Sequence, residues 1–130
     1  MPAQTPVDTH RLWSEYFKAG DLDELMTLYE PDAILVPEPG QAISGHKAIR
    51  DVLEGFLSLH GRFDLRVGKV LEAGDIAVLY SRWTLEGTGA DGSEVSLTGL
   101  TADVVRLQDD GTWLLVVDNP FGSEGMETEQ

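Results

Sequence analysis

Apolar residues recur at the three-and-four spacing of amphipathic helices in three segments of the first half of the chain, residues 5–20, 21–31 and 44–61. The first two segments begin at residues that suit a helix N-cap, Thr5 and Asp21, and each has an acidic residue three positions later. The pattern therefore predicts three helices before residue 62.

Strand character appears once between the second and third predicted helices and replaces the helical period from residue 62 onward. A short apolar strand over 33–36 is predicted to end at Pro37-Glu38-Pro39-Gly40, because proline lacks the N–H donor that a ladder needs. Alternating or β-branched segments with turn residues between them cover 63–67, 76–85, 95–107 and 113–117. We therefore expect an α+β fold, a cone-shaped and strongly curved antiparallel (mixed) sheet packed over three N-terminal helices, whose open end can hold a ligand.

Length and composition narrow the class of protein. The 130 residues fit one domain, expected over residues 5–122, with disordered tails at 1–4 and 123–130. The chain has no cysteine, its N-terminus does not resemble a signal peptide, and no apolar stretch approaches membrane-spanning length, so we expect a cytoplasmic protein. A net charge of −14 argues against nucleic acid and anionic membranes as partners.

Four sequence stretches carry a family resemblance: AGDLDELMTLYEPDA at 19–33, SGHKAIRDVL at 44–53, DVVRL at 103–107, and DGTW before the last strand. The chain resembles the nuclear-transport-factor-two-like superfamily, specifically its ketosteroid isomerase and SnoaL-like polyketide cyclase branch. The resemblance implies a cone-shaped pocket. This fold hosts isomerases, cyclases, dehydratases, hydrolases and non-catalytic binding modules.

The resemblance also implies candidate catalytic positions. Ketosteroid isomerases use a tyrosine on the first helix, and Trp13 stands at that position, with Tyr16 one turn further on. The aspartate base of the first strand corresponds to Pro37, with Glu38 as the nearest carboxylate. The protonated aspartate that donates a hydrogen bond corresponds to Asp103.

Strand alternation supports a pocket position for Asp103, because Thr101 and Val105 share its face. An apolar environment favours the neutral form of a carboxyl group, so Asp103 is predicted to line the pocket as a neutral acid. The alternative is a carboxylate that is solvated or paired with an arginine. Glu38 is the candidate base, and its alternative is a solvated charge in a proline-rich turn.

Aromatic residues supply candidate pocket walls. Trp13 and Phe17 share one side of the first helix, and Trp83 alternates with Leu79 and Leu85. These rings are candidate ligand contacts or plain core.

Two residues near the end of the last strand complete the candidate site. Asn119 shares parity with Val117 and is expected at the pocket mouth, or else serves as a turn residue before Pro120. Phe121 is expected to be a lid or a packing residue. The three histidines, His10, His46 and His60, lack metal-ligand spacing, and no partner is evident for His10 or His60.

We therefore expect a pocket for a small, mostly apolar molecule, with no cofactor and no metal. If the protein is an enzyme, the expected chemistry is proton transfer next to a carbonyl group, as in isomerases, cyclases or dehydratases. The alternatives are a non-catalytic binding or interaction module, and a hydrolase for a small epoxide or ester. The resemblance also implies a homodimer through the outer face of the sheet, which carries Tyr80, Arg82, Thr84, Leu100, Ala102 and Val104.

Overall fold

A computed structural model describes residues 2–124 and contains three helices and seven strands. The elements in chain order are α1 (Pro6–Ala19), α2 (Leu22–Met26), β1 (Tyr29–Glu38), β2 (Gln41–Ser44), α3 (His46–Leu57), β3 (Arg62–Ala73), β4 (Ile76–Thr88), β5 (Glu94–Leu100), β6 (Asp103–Leu107) and β7 (Trp113–Asp118). The predicted α+β class is confirmed, with β1 and β2 lying between the second and third helices.

All seven strands form one sheet in the order β2-β1-β7-β6-β4-β3, and β5 also pairs with β4. The β1 and β7 strands run parallel, and the other pairs are antiparallel, so the sheet is mixed. The first part of β4 pairs with β6 and its later part with β5. The sheet curves around α1 and α3, and the hydrophobic core lies between these helices and the sheet.

Local sequence signals fix the first helix. Thr5 and Asp8 form a reciprocal capping box at its start, and Gly20 ends it with a left-handed backbone, which glycine adopts without a steric penalty. Its inner side contributes Leu12 and Phe17 to the core. This packing places the residues between them, including Trp13, beside the sheet.

Three predicted boundaries are wrong. Helix α2 ends at Met26 rather than at Pro31, and β1 begins at Tyr29, because Leu28 and Tyr29 pair with Leu115 of β7 instead of continuing the helix. Strand β1 also runs through the first proline to Glu38, with an irregular register. The predicted strand 95–107 is two strands, since the chain leaves the ladder at Thr101-Ala102.

The N-terminal segment packs against the last strand. Ala3 is 1% exposed, and its carbonyl oxygen accepts a 2.9 Å hydrogen bond from the Trp113 N–H, although this residue falls in the expected N-terminal tail. Most of the expected C-terminal tail, residues 125–130, lies outside the described residues. None of the helices in the described part is long and apolar enough to cross a membrane.

Candidate active site

A cavity of about 60 Å³ lies between α1, α3 and the inner face of the sheet. Most of its wall is apolar, and six aromatic residues belong to it: Trp13, Phe17, Phe56, Phe63, Trp83 and Phe121. Its polar side chains, apart from the two indoles, are His10, Thr101, Asp103 and Asp118. An apolar cavity with a few convergent polar groups is the usual form of a small-molecule site.

The aromatic rings pack against one another around the cavity. Trp13 stacks on Phe17 with ring centroids 4.9 Å apart, and both contact Phe63 at 5.1 Å. On the other side Trp83 meets Phe121 edge to face at 5.6 Å. The four aromatic residues that the sequence predicts for the site therefore pack in or against the core and also line the cavity. They are Trp13, Phe17, Trp83 and Phe121.

Asp103 lies at the cavity as the strand pattern indicates, and it is 3% exposed. Its Oδ1 accepts a 2.6 Å hydrogen bond from the Asn119 backbone N–H, and its Oδ2 lies 2.6 Å from Nε2 of His10. Both oxygens are therefore engaged within the protein. This arrangement differs from the expected neutral acid with a free hydrogen bond for a ligand, and the pairing partner is a histidine rather than an arginine.

No partner of His10 is evident from the sequence, but the fold brings two to its ring nitrogens. Besides Asp103 at Nε2, its Nδ1 lies 2.7 Å from Oγ of Ser81. The order Ser-His-Asp matches a hydrolase triad, but Ser81 is fully buried and does not line the cavity. His10 has no unengaged ring nitrogen, so it acts on the cavity through its charge and through Asp103.

Asp118 is the second carboxyl group on the wall, and sequence reasoning missed it. The Tyr29 hydroxyl donates a short hydrogen bond to its Oδ2, and Nε1–H of Trp13 donates to the Tyr29 oxygen at 2.9 Å. Among the described residues Oδ1 has no hydrogen-bond partner, and no fully buried side-chain polar atom among them lacks one, so Oδ1 is not fully buried. Because Asp118 lines the cavity, we infer that Oδ1 is the oxygen on the cavity side.

A bulge in β7 places Asp118 inward. Leu115 pairs with Val105, but Val117 pairs with the adjacent Val104, so Val116 is an extra residue in the ladder. The extra residue reverses the alternation, and the inward position falls on Asp118 instead of Asn119. A run of apolar residues contains no signal for this shift.

Burial and, to a smaller extent, the negative charge of Asp103 raise the pKa of Asp118 from 3.8 to about 7, although the Tyr29 hydrogen bond and the charge of His10 act in the opposite direction. Burial also raises the pKa of Tyr29 well above its ordinary range, and the charge of Asp118 adds to this shift. Tyr29 is therefore a neutral donor, while Asp118 changes charge near neutral pH. A buried carboxyl group of this kind can both take up and release a proton.

Three predicted site residues lie elsewhere. Glu38 is exposed at the end of β1, pairs with Gln41, and does not line the cavity. Tyr16 is half-buried and lines a separate surface cleft beside Asp110. Asn119 is half-buried and holds Asp103 through its backbone, while its side-chain amide donates to the Gly122 carbonyl at 2.9 Å.

Within residues 2–124 no group of three or more histidine, aspartate or glutamate side chains is arranged to hold a metal ion. His46 is exposed, and its Nε2 hydrogen-bonds the Tyr29 carbonyl at 2.9 Å.

A curved mixed sheet that encloses a cavity against N-terminal helices defines the nuclear-transport-factor-two-like class of folds. The SnoaL-like domain family matches residues 10–116, and the chain belongs to that family. A comparison with curated proteins finds no matching sequence.

Solved structures confirm the fold. A ketosteroid isomerase-like protein from Erwinia carotovora atroseptica has a TM-score of 0.73 at 17% identity over 85% of this chain and 88% of its own. A candidate dehydratase of the same fold family from Streptomyces avermitilis has a TM-score of 0.71 at 19% identity over 85% and 89%. A candidate calcium/calmodulin-dependent protein kinase type II association domain from Thiobacillus denitrificans reaches 0.73 at 17% identity over 92% and 95%. At these identities the likeness establishes the fold alone.

Proposed function

We propose that this protein is a cofactor-free proton-transfer enzyme of the isomerase type, which acts on a small, mostly apolar carbonyl compound in the cavity. The observation that supports this proposal most directly is the carboxyl group of Asp118. Its Oδ2 accepts a hydrogen bond from Tyr29, whereas its Oδ1 has no hydrogen-bond partner among the described residues. The group lines a mostly apolar cavity, and the pKa of Asp118 is about 7. A group with a pKa near the working pH serves as both base and acid.

The reaction has two steps. The ionised Asp118 removes a proton from a carbon next to the carbonyl group, so that the C–H bond breaks, an O–H bond forms at Oδ1, and the electron pair moves into the enolate. The protonated Asp118 then returns this proton to a different carbon of the same molecule, and the electron pair forms the new C–H bond. No oxidant, reductant or leaving group is needed.

The neighbouring polar groups adjust the pKa of Asp118. The charge of Asp103 strengthens proton binding at Asp118, and the charge of His10 weakens it. His10 and Asp103 are held by Ser81 and by the Asn119 backbone, so the distances to Asp118 are fixed in advance. Asp118 takes the base role that sequence reasoning gave to Glu38.

Deuterium exchange tests the proposal without knowledge of the natural substrate. The protein is incubated in D₂O with a panel of small cyclic ketones and enones, and deuterium incorporation next to the carbonyl is followed by NMR. Asp118→Asn is expected to slow the exchange by about 10²–10⁴-fold, the usual contribution of a general base. Glu38→Gln is the control, because Glu38 is exposed outside the cavity, and its rate should equal that of the unmodified protein.

A non-catalytic binding module is the second candidate, and the tight aromatic packing favours it. The rings leave a cavity of only about 60 Å³, which holds a few waters or a small molecule. A larger ligand fits only when the side chains around the cavity move. A ketone that binds saturably but exchanges no faster with the unmodified protein than with Asp118→Asn would establish this alternative and overturn the enzyme proposal.

We also propose that the protein forms a homodimer through the outer face of its sheet. Leu100 at the end of β5 is 53% exposed there and Tyr80 on β4 is 37% exposed, although both are large apolar side chains. Covering them removes apolar surface from water, which is the main driving force for stable association.

A further inference from the structure

The hydrogen-bond chain behind Asp118 has a fixed direction. Its three members come from different elements: Trp13 from α1, Tyr29 from β1 and Asp118 from the end of β7. The indole Nε1–H can only donate a hydrogen bond, whereas a phenol hydroxyl can donate and accept. Because Trp13 donates to the Tyr29 oxygen, the single hydroxyl hydrogen of Tyr29 remains available for Asp118.

This direction decides which oxygen of Asp118 carries the exchangeable proton. Oδ2 accepts the hydrogen bond from Tyr29, and the carbonyl oxygen of a neutral carboxyl group is a better acceptor than its hydroxyl oxygen, so this bond favours a proton on the other oxygen. The proton therefore binds at Oδ1, the oxygen that has access to the cavity. Without the donor from Trp13, the Tyr29 hydroxyl can turn and accept, and the proton can move to Oδ2, away from a ligand.

We propose that Trp13 and Tyr29 are positioning residues that keep the exchangeable proton of Asp118 on the cavity side of its carboxyl group. The role of this proton in catalysis rests on the proposed function. Its position on Asp118 is inferred from the hydrogen bonds alone. Tyr29 is 2% exposed and does not line the cavity, so its hydroxyl acts on a ligand only through Asp118. Trp13 has two functions, since its ring also forms part of the wall.

The charged and titratable groups around Asp118 define the sign of the expected effect. Tyr29 faces it from β1, Asp103 from β6 and His10 from α1. Tyr29 donates to the ionised form, so its removal makes that form less favourable and should raise the pKa of Asp118. The loss of Trp13 makes Tyr29 a weaker donor and allows the hydroxyl to reverse, and both changes act in the same direction.

The titration of the Asp118 carboxyl carbon, followed by ¹³C NMR, tests this proposal without an activity assay. Tyr29→Phe should raise the midpoint by roughly one pH unit, and Trp13→Phe should raise it by a smaller amount. Trp83→Phe is the matched control. It removes the N–H of another tryptophan on the cavity wall, but that N–H donates to the Pro120 carbonyl at 2.6 Å, so the Asp118 midpoint should not change.

The double variant tests whether Trp13 acts on Asp118 through Tyr29 or independently of it. If Trp13 acts through Tyr29, then Trp13→Phe should cause no further rise when Tyr29 is already phenylalanine. An unchanged midpoint in Tyr29→Phe, or equal shifts for Trp13→Phe in the presence and absence of Tyr29, would overturn the positioning roles. A wild-type midpoint near 7 together with loss of ketone exchange in Asp118→Asn would leave the proposed function intact in that case.

Discussion

Asp103 and Asp118 carry the same functional group on the wall of the same cavity, but their partners give them different chemistry. Asp103 has a donor or a histidine nitrogen at each oxygen, so its carboxyl group is engaged inside the protein. Asp118 has one partner, is 7% exposed, and retains one oxygen at the cavity. Burial with incomplete pairing raises the pKa of Asp118 and leaves it available for proton transfer.

The raised pKa of Asp118 predicts how stability depends on pH. Its pKa is 3.8 in its ordinary state and about 7 in the fold, so the native protein binds the proton more tightly than the unfolded chain does. The stabilising contribution is complete below the lower value and is lost as the pH rises through about 7. Asp118→Asn does not titrate, so its free energy of unfolding should improve relative to wild type as the pH rises from about 5 to about 8.

Urea denaturation at both pH values measures this difference. Glu38→Gln serves as the control, because an exposed carboxyl group outside the cavity should give nearly the same difference from wild type at each pH. If the difference in the free energy of unfolding between Asp118→Asn and wild type does not change with pH, then Asp118 is not the group that titrates.

Sequence reasoning reached part of this site. Asp103 and the aromatic wall followed from strand parity and helical spacing, which depend on local order alone. The partner of Asp103, His10, lies 93 positions away in sequence, and no spacing rule connects a helix residue to a strand residue at that distance. Strand parity does not predict Asp118 on the inner face, because Val116 is an extra residue in the ladder of β7.

At the scale of elements, the segment Asn119–Gly122 closes one side of the cavity. Pro120 and Phe121 line the wall, and Nε1–H of Trp83 donates to the Pro120 carbonyl at 2.6 Å. The segment lies close to β5 at Gly99, where a Cβ atom would be 2.5 Å from the Pro120 oxygen and 2.9 Å from Nε1 of Trp83. Glycine is therefore needed at this contact.

Gly99→Ala is expected to displace the segment and break the bond between Trp83 and Pro120. Overpacking of this kind costs about 1–3 kcal/mol in the free energy of unfolding. The matched control is Gly55→Ala on α3, where a Cβ atom meets nothing within 4 Å and the helix should gain about 0.5–1 kcal/mol. Denaturation in urea distinguishes the two signs, and a stabilised Gly99→Ala protein would contradict the close contact.

The elements themselves were largely predictable, because caps, periodicity and turn residues are local signals. The α2 and β1 boundaries were not. The apolar residues Leu28 and Tyr29 continue the helical period of α2, yet Leu28 accepts a hydrogen bond from Leu115 N–H at 2.7 Å and Tyr29 pairs with Leu115 in the parallel ladder. Pairing with a distant strand therefore overrides the local pattern at this point.

At the scale of the whole molecule, the net charge of −14 opposes association, while the exposed apolar side chains of Tyr80 and Leu100 on the outer face of the sheet favour it. Two like-charged subunits repel each other, and salt screens this repulsion. We therefore expect a homodimer in sedimentation experiments at micromolar concentration. Its dissociation constant should fall as the salt concentration rises.

Leu100→Asp should convert this dimer to a monomer, because it places a charge where an apolar side chain is 53% exposed on the sheet. Val7→Asp is the control, since Val7 is 37% exposed on α1, away from the sheet's outer face, and its substitution should leave the dimer intact. Sedimentation of the unmodified protein as a monomer alone at all salt concentrations would refute the dimer.

The pH titration of the Asp118 carboxyl carbon in the unmodified protein, read by ¹³C NMR and assigned by its absence in Asp118→Asn, tests the central claim most directly. A midpoint near 7 is the predicted result, and it would show that a cavity-facing carboxyl group exchanges its proton at neutral pH. A midpoint near the ordinary value of 3.8 would mean that Asp118 is a permanently ionised group, and it would contradict the proton-transfer account.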